Sequence, residues 1–218
     1  MYNGKKQIKG VENVIVNAFY NKEGVGDTLL IETGEVTFEN REWERRGDVA
    51  RIFDRETKEL AGYNIFNSSN YFNITANGKV DLTEELVAQM NQVIEKAGFE
   101  PEIVADLSPK FVVGYVESKE KHPNADKLNV CRINVGDEVL QIVCGAPNID
   151  AGQKVVVAKI GAVMPSGLII KPSNLRGEDS FGMVCAAREL AIPDAPTEKG
   201  IMVLEESAVV GEAFPVNF

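Results

Sequence analysis

Hydrophobic residues recur along the first half of the chain at two different spacings. Val11–Phe19 and Asp27–Thr33 are runs of β-branched and aliphatic residues bounded by glycines, and they predict strands. Val49–Phe53 and Leu60–Phe66 flank the polar run Asp54-Arg55-Glu56-Thr57-Lys58, which predicts a hairpin. After Asp81 the period lengthens: Leu82, Leu86, Val87, Met90, Val93, Ile94 and Ala97 fall on one face of a helix. Asp81 is placed to cap that helix, with Glu84 three residues on as in a capping box, and Gly98 is placed to end it. Strands followed by one main helix predict an α+β domain with an antiparallel sheet. Nothing in this half carries a nameable chemistry.

The second half reads as short strands separated by glycines and prolines. Phe111–Val116, Leu128–Val135, Glu138–Cys144 and Lys154–Ala158 are the clear ones, and Val135-Gly136-Asp137-Glu138 joins two of them tightly. Leu128 and Val130 are in one phase and Cys131, Ile133 and Val135 in the other, which predicts a bulge near residue 130. Further strands are expected around Leu168–Lys171, Gly182–Ala186 and Ile201–Leu204. Many short strands and no long helix predict an all-β barrel, and oligonucleotide-binding (OB) folds are the common barrels of that size.

Composition places the boundary. All nine prolines lie at or after Pro101, all three cysteines lie after residue 130, and 11 of the 16 aromatics lie before residue 107. Two domains follow: 1–106, α+β and of unknown function, and 107–218, the barrel with an acidic C-terminal extension. The whole 218-residue chain carries a net charge of −10 and a pI near 4.8. That argues against indiscriminate coating of nucleic acid and against a polybasic membrane binder. The charge is unevenly spread: residues 1–106 are at −7, Lys110–Arg188 at +2, and the tail from Glu189 at −5. No run approaches the ~20 apolar residues of a membrane span, and Met1-Tyr2-Asn3-Gly4-Lys5-Lys6 leads into mixed sequence rather than a signal peptide. Three cysteines at wide spacings form neither a disulfide framework nor a zinc site, so a cytoplasmic, reducing location is expected.

Three segments stand out: Lys121-His122-Pro123-Asn124-Ala125-Asp126-Lys127-Leu128, Val143-Cys144-Gly145-Ala146-Pro147-Asn148, and Asn174-Leu175-Arg176-Gly177-Glu178-Asp179-Ser180-Phe181-Gly182-Met183. Their order and separation resemble the pattern HPxADKL, VxGAxN, LRGxxSxGM of the tRNA-binding domain near the N-terminus of the bacterial phenylalanyl-tRNA synthetase β subunit. With an α+β domain in front and no synthetase body behind, the chain resembles the YtpR family of free-standing bacterial tRNA-binding proteins. The resemblance implies an OB fold that reads the outside corner of folded tRNA. It implies that Lys127, Asn148, Arg176, Ser180 and Met183 face the RNA. It implies tRNA as partner, in trans, with a second copy of the chain, an aminoacyl-tRNA synthetase or another protein as protein partner.

The residue types admit plainer roles beside these. Lys127 and Arg176 are cations suited to phosphates, and Lys127 equally suits a solvated surface. Asn148 after Ala146-Pro147 can close a turn, Ser180 and Gly182 can serve backbone geometry, and Met183 can fill core. Asp126 orients its loop rather than touching anionic RNA. Few rings in the barrel (Phe111, Tyr115, Phe181) favour a folded RNA over a single strand. Catalysis is not expected. His122 is the sole histidine, Cys144 alternates with Leu140 and Ile142 toward an interior, and no cofactor loop or synthetase motif is present. The alternative function is a protein-interaction or dimerisation module that retains the fold with little RNA binding, which the acidity also suits.

Overall fold

Alternating apolar residues build the first sheet, and the structure, a computed structural model, describes residues 15–216. The chain separates into two units, Met1–Leu107 and Ser108–Phe218. In the first, strands β1 (Asn17–Tyr20), β2 (Thr28–Glu32), β3 (Arg41–Arg46), β4 (Val49–Asp54), β5 (Leu60–Phe66) and β6 (Gly78–Val80) precede one helix, α1 (Glu84–Lys96). They form an antiparallel sheet in the order β3-β4-β5-β2-β1-β6. Ala18, Tyr20, Leu29, Ile31, Val49, Tyr63 and Ile65 share one core with Met90 and Ile94 of α1. The Phe99 ring meets Tyr63 edge-on, with centroids 6.4 Å apart. Sheet and helix agree with the expected α+β unit. The expected strand Val11–Phe19 begins outside the described residues, and only its end is seen in β1.

Two local expectations change. The helix cap is Thr83, not Asp81. Thr83 has an extended backbone, and its hydroxyl accepts the Leu86 N–H at 3.1 Å. The helix therefore starts at Glu84, and the residue three beyond the cap is Leu86, so there is no capping box. Gly98 ends the helix as expected, at φ +84°, with the Phe99 N–H bonded back to the Ile94 carbonyl. Strand β3, Arg-Glu-Trp-Glu-Arg-Arg, was not foreseen, because every one of its residues is exposed. Charge on an edge strand discourages pairing with other chains.

The second unit is all β. Strands β7 (Phe111–Lys121), β8 (Asn129–Asn134), β9 (Val139–Cys144), β10 (Lys154–Ala158), β11 (Ser173–Leu175), β12 (Glu178–Ser180), β13 (Met183–Val184) and β14 (Val203–Leu204) follow in order. The main sheet runs β13-β10-β7-β8-β9, with β14 also on β10 and β11-β12 a separate hairpin. Long β7 pairs with β10 over Phe111–Tyr115 and with β8 over Tyr115–Lys121. The open side between β9 and the β12–β13 segment is stitched by separate hydrogen bonds rather than a ladder, among them the Gln141 amide donating to the Asp179 carbonyl (2.9 Å). The Phe181 N–H donates to the Gln141 carbonyl (2.9 Å), and the Val143 N–H donates to the Ser180 hydroxyl oxygen (3.1 Å). The result is a nearly closed, barrel-like sheet that fits an OB fold.

The expected bulge at residue 130 lies elsewhere. Strand β8 alternates without a break, because Asn129 takes the inward phase ahead of Cys131, Ile133 and Val135. The irregularity is on the partner strand, between Val116 and Ser118 of β7. Leu168–Lys171 is not a strand; it folds back on Gly161–Met164 through a single bridge, Val163 to Ile169. Val112, Val116, Cys131, Ile133, Ile142, Val155 and Val157 fill the barrel. Burial pushes the Cys131 thiol up to about 11 and the Cys185 thiol up to about 12.

The acidic tail is part of the barrel. Leu190 and Ile201 are buried in its cores. Beyond β14, the chain runs along the edge of β7 that β8 leaves free. There the Val113 N–H donates to the Glu212 carbonyl, the Gly211 N–H to Val113 and the Phe214 N–H to Phe111. Among the described residues no helix is long and apolar enough to cross a membrane.

Candidate nucleic-acid interface

The first motif is the loop from β7 to β8, and the third contains the β11–β12 hairpin in the connection from β10 to β13. The two are locked together by the only histidine. His122 is 5% exposed. Its Nδ1 accepts the Asn124 N–H at 3.0 Å, and its Nε2 lies 2.8 Å from the Leu175 carbonyl oxygen. Only the neutral ring with its proton on Nε2 satisfies both contacts. Asn124 adds a second tie, its Nδ2 donating to the Arg176 carbonyl at 3.1 Å.

These bonds hold a turn of unusual backbone. Leu175 pairs with Glu178, so Arg176-Gly177 is a two-residue hairpin loop. Arg176 stands at φ +53° and Gly177 at +101°, the type I′ geometry. The Asn174 side chain supports it, accepting the Gly177 N–H (3.0 Å) and donating to Asp179 (2.7 Å). Arg176 is therefore exposed at the tip of a braced hairpin. Lys127 is exposed on the neighbouring loop. The second motif approaches that loop at Gly145, where a Cβ would sit 3.1 Å from the Leu128 side chain.

The remaining expected site residues are placed differently. Ser180 is 2% exposed, and its hydroxyl accepts from Val143 and donates to the Gly182 carbonyl. It holds the barrel seam. Asn148 is exposed, yet its amide clamps the backbone of Ile201 at both ends, Nδ2 to the carbonyl (3.0 Å) and Oδ1 from the N–H (2.8 Å). Met183 is half-buried and lines a cleft of about 260 Å³ with Gly145, Pro147, Arg188, Lys199 and Ile201. The structure thus leaves Lys127 and Arg176 as exposed cations on two loops that are tied to each other, and Met183 joins the cleft beside Gly145.

Sequence reasoning missed several residues here. Arg188 and Lys199 enter the cleft from segments read as the barrel's end and the acidic tail, with no local pattern to reveal them. Arg132 could have been found from alternation, since inward Cys131 and Ile133 turn it outward on β8. Among the described residues, Lys127, Arg132, Arg176, Arg188 and Lys199 make no ion pair. By contrast, Lys119 holds Asp150 (3.1 Å) and Lys159 holds Asp137 (3.3 Å). Cations without carboxylates keep their charge available for phosphate. The barrel's thiols offer no such chemistry: Cys144 is buried, and desolvation raises its pKa.

Comparison with known proteins follows the same division. Residues 111–213 match the family described as "Putative tRNA binding domain", and residues 36–106 match a "Domain of unknown function (DUF4479)". The chain is 64% identical over 199 residues to "Putative tRNA-binding protein YtpR" of Bacillus subtilis (strain 168), covering 91% of this chain and 99% of that protein. It is 47% identical over 136 residues to the phenylalanine–tRNA ligase β subunit of Staphylococcus aureus (strain MRSA252), covering 59% of this chain and 17% of the subunit. A solved MetRS related protein from Pyrococcus horikoshii aligns at 24% identity and a TM-score of 0.36, over 46% of this chain and 84% of that one.

Proposed function

The chain belongs to the family of the protein named "Putative tRNA-binding protein YtpR", and from that membership we propose that its second unit is an OB-fold barrel that binds folded tRNA without catalysis. The observation that carries the reading is the lock between the two loops. In OB folds the second and third strands, with the loops after the first and fourth, form the nucleic-acid face. Here those two loops are joined through His122 and Asn124, and they present Lys127 and Arg176 as unpaired cations. Arg132 lies on the outer side of the second strand.

The same geometry favours a folded RNA. Tyr115 and Phe181 are exposed by 37% and 39%, and neither the joined loops nor the cleft beside Met183 adds a ring on which bases could stack. Backbone and shape contacts suit a structured RNA. Lys127 and Arg176 then contact phosphates, and Met183 lies against the RNA at the cleft mouth. Asn148 and Ser180 act by holding the surfaces on which those residues stand. The protein acts in trans in the cytoplasm, beside an aminoacyl-tRNA synthetase or another tRNA enzyme.

Gel-shift titration of the full chain with folded tRNA tests the reading. Saturable binding at low salt is expected, with Lys127→Ala and Arg176→Ala each reducing the slope of log affinity against log salt by about 1. Absence of binding at low salt overturns it, as does equal competition by single-stranded RNA. A chain that self-associates and ignores tRNA would establish the protein-interaction reading instead.

A further inference from the structure

The sheet of the first unit has a second face, turned away from α1. The strand register lays that face out in rows. One row runs Trp43, Ile52, Gly62, Glu32, Asn17. The next runs Arg45, Ala50, Asn64, Leu30, Phe19, Lys79. Phe19, Leu30 and Ile52 are only partly buried, and Trp43 is 66% exposed. A core would have covered these side chains.

A cleft of about 550 Å³ opens over Gly62 and is walled by Gly34–Thr37 and Arg41. That volume is within the range of about 300–1,000 Å³ typical of ligand clefts. Gly62 is required there, since a Cβ would sit 2.1 Å from the Ile31 carbonyl oxygen. No side chain can fill the hollow, so its walls are Phe19, Leu30 and Ile52, with Asn64, Glu32 and Glu35 as polar groups.

Charge is sorted between the two faces of β3. Glu42 and Glu44 point to the other side, where Lys58 (3.4 Å) and Arg46 (2.8 Å) pair with them. Arg41 and Arg45 are left on the open side, flanking Trp43. Arg41 makes no ion pair among the described residues. The Arg45 guanidinium lies 4.0 Å over the Phe66 ring, and its Nε donates to the Gly47 carbonyl. An exposed ring between arginines that make no ion pair suits a strand of alternating bases and phosphates.

We propose that this face of the first unit is a separate site for single-stranded RNA. One base enters the hollow over Gly62 between Phe19, Leu30 and Ile52, with its polar edge toward the Asn64 amide. The next base stacks on Trp43, and the intervening phosphates lie on Arg41 and Arg45.

Trp43 is the sole tryptophan of the chain, so its fluorescence reports on this face. The full chain is titrated with a single-stranded oligoribonucleotide of about eight nucleotides, a length within the ~4–16 nucleotides that one OB fold covers and ample for two bases and their phosphates. Saturable quenching is expected both in the native chain and in the Lys127→Ala, Arg176→Ala double variant. Arg41→Ala and Arg45→Ala, both on the surface, each raise the half-saturation concentration about 5-fold or more. Trp43→Ala weakens binding at least ~5-fold, read by anisotropy of a labelled strand. Lack of quenching overturns the proposal, as does indifference to both arginine variants. Quenching that disappears in the double variant assigns the strand to the barrel and also overturns it. Equal quenching by AMP or by duplex RNA overturns the single-strand reading.

Discussion

Arg176 occupies a backbone conformation that costs a non-glycine residue about 1–2 kcal/mol, and the hairpin holds it there through its neighbours. Such strain persists only where the surrounding structure over-determines it. Arg176→Gly is therefore expected to raise the melting temperature while weakening tRNA binding, a split that calorimetry and gel shifts measure together. His122→Ala leaves the Asn124 N–H and the Leu175 carbonyl without partners, and a loss of about 1–3 kcal/mol in thermal unfolding is expected. Amide exchange should rise first in 122–124 and 175–177. In the first unit Asp27 is held below its ordinary value of 3.8, chiefly by the Ser69 hydroxyl and then by the Tyr20 hydroxyl and the Ser69 N–H. A carboxylate depressed in this way stabilises the fold above its unfolded value and loses that contribution as pH falls through its folded one. Acid titration followed by near-ultraviolet circular dichroism should show Asp27→Asn flattening the decline below pH 3.8.

At the scale of elements the barrel depends on a seam rather than a full ladder. Ser180→Ala orphans the Val143 N–H, and about 1–3 kcal/mol of stability should be lost. Its RNA affinity should change less than that of Arg176→Ala. The elements legible in the sequence were those with one wet and one dry face, β2, the β4–β5 hairpin, β8, β9 and α1, and those written as a continuous apolar run, β10 and the first half of β7. Strand β3 was illegible because an edge strand exposed along its whole length has no alternation to read. The β11–β12 hairpin was illegible because its I′ turn is Arg-Gly, not the usual Asn-Gly, and its strands carry polar residues. The bulge was misplaced because a buried asparagine, Asn129, holds an inward position that hydrophobicity does not mark. The motif loops were found by their residues. Asn148 and Ser180 could not be separated from Lys127 and Arg176 without their hydrogen bonds.

For the whole molecule, acidity and sulfur have definite places. The three cysteines are free and buried. Thiols raised above the ordinary value of 9.0 stabilise the fold below that value, and the contribution is lost as pH rises through it toward 11 and 12. Labelling by a thiol reagent at neutral pH should therefore track unfolding and be negligible in the native state. Removal of the residues after Arg188 takes away buried Leu190 and Ile201, strand β14 and the cover of β7. Such a truncation should lose the barrel's cooperative unfolding transition and leave that of the first unit. That final cover also sets the order of events during synthesis. The sheet of the first unit is closed by residue 80, when β6 reaches β1, so it can form while the rest is still being translated. Strand β7 leaves the ribosome next, but Val112 meets Ala213 only about 100 residues later. Until then the barrel's opening strand shows a bare edge, and contacts of such long range form slowly. A nascent chain stalled before Gly211 is thus an assembled first unit trailing an open sheet, a natural client for whatever attends unfinished proteins at the tunnel exit.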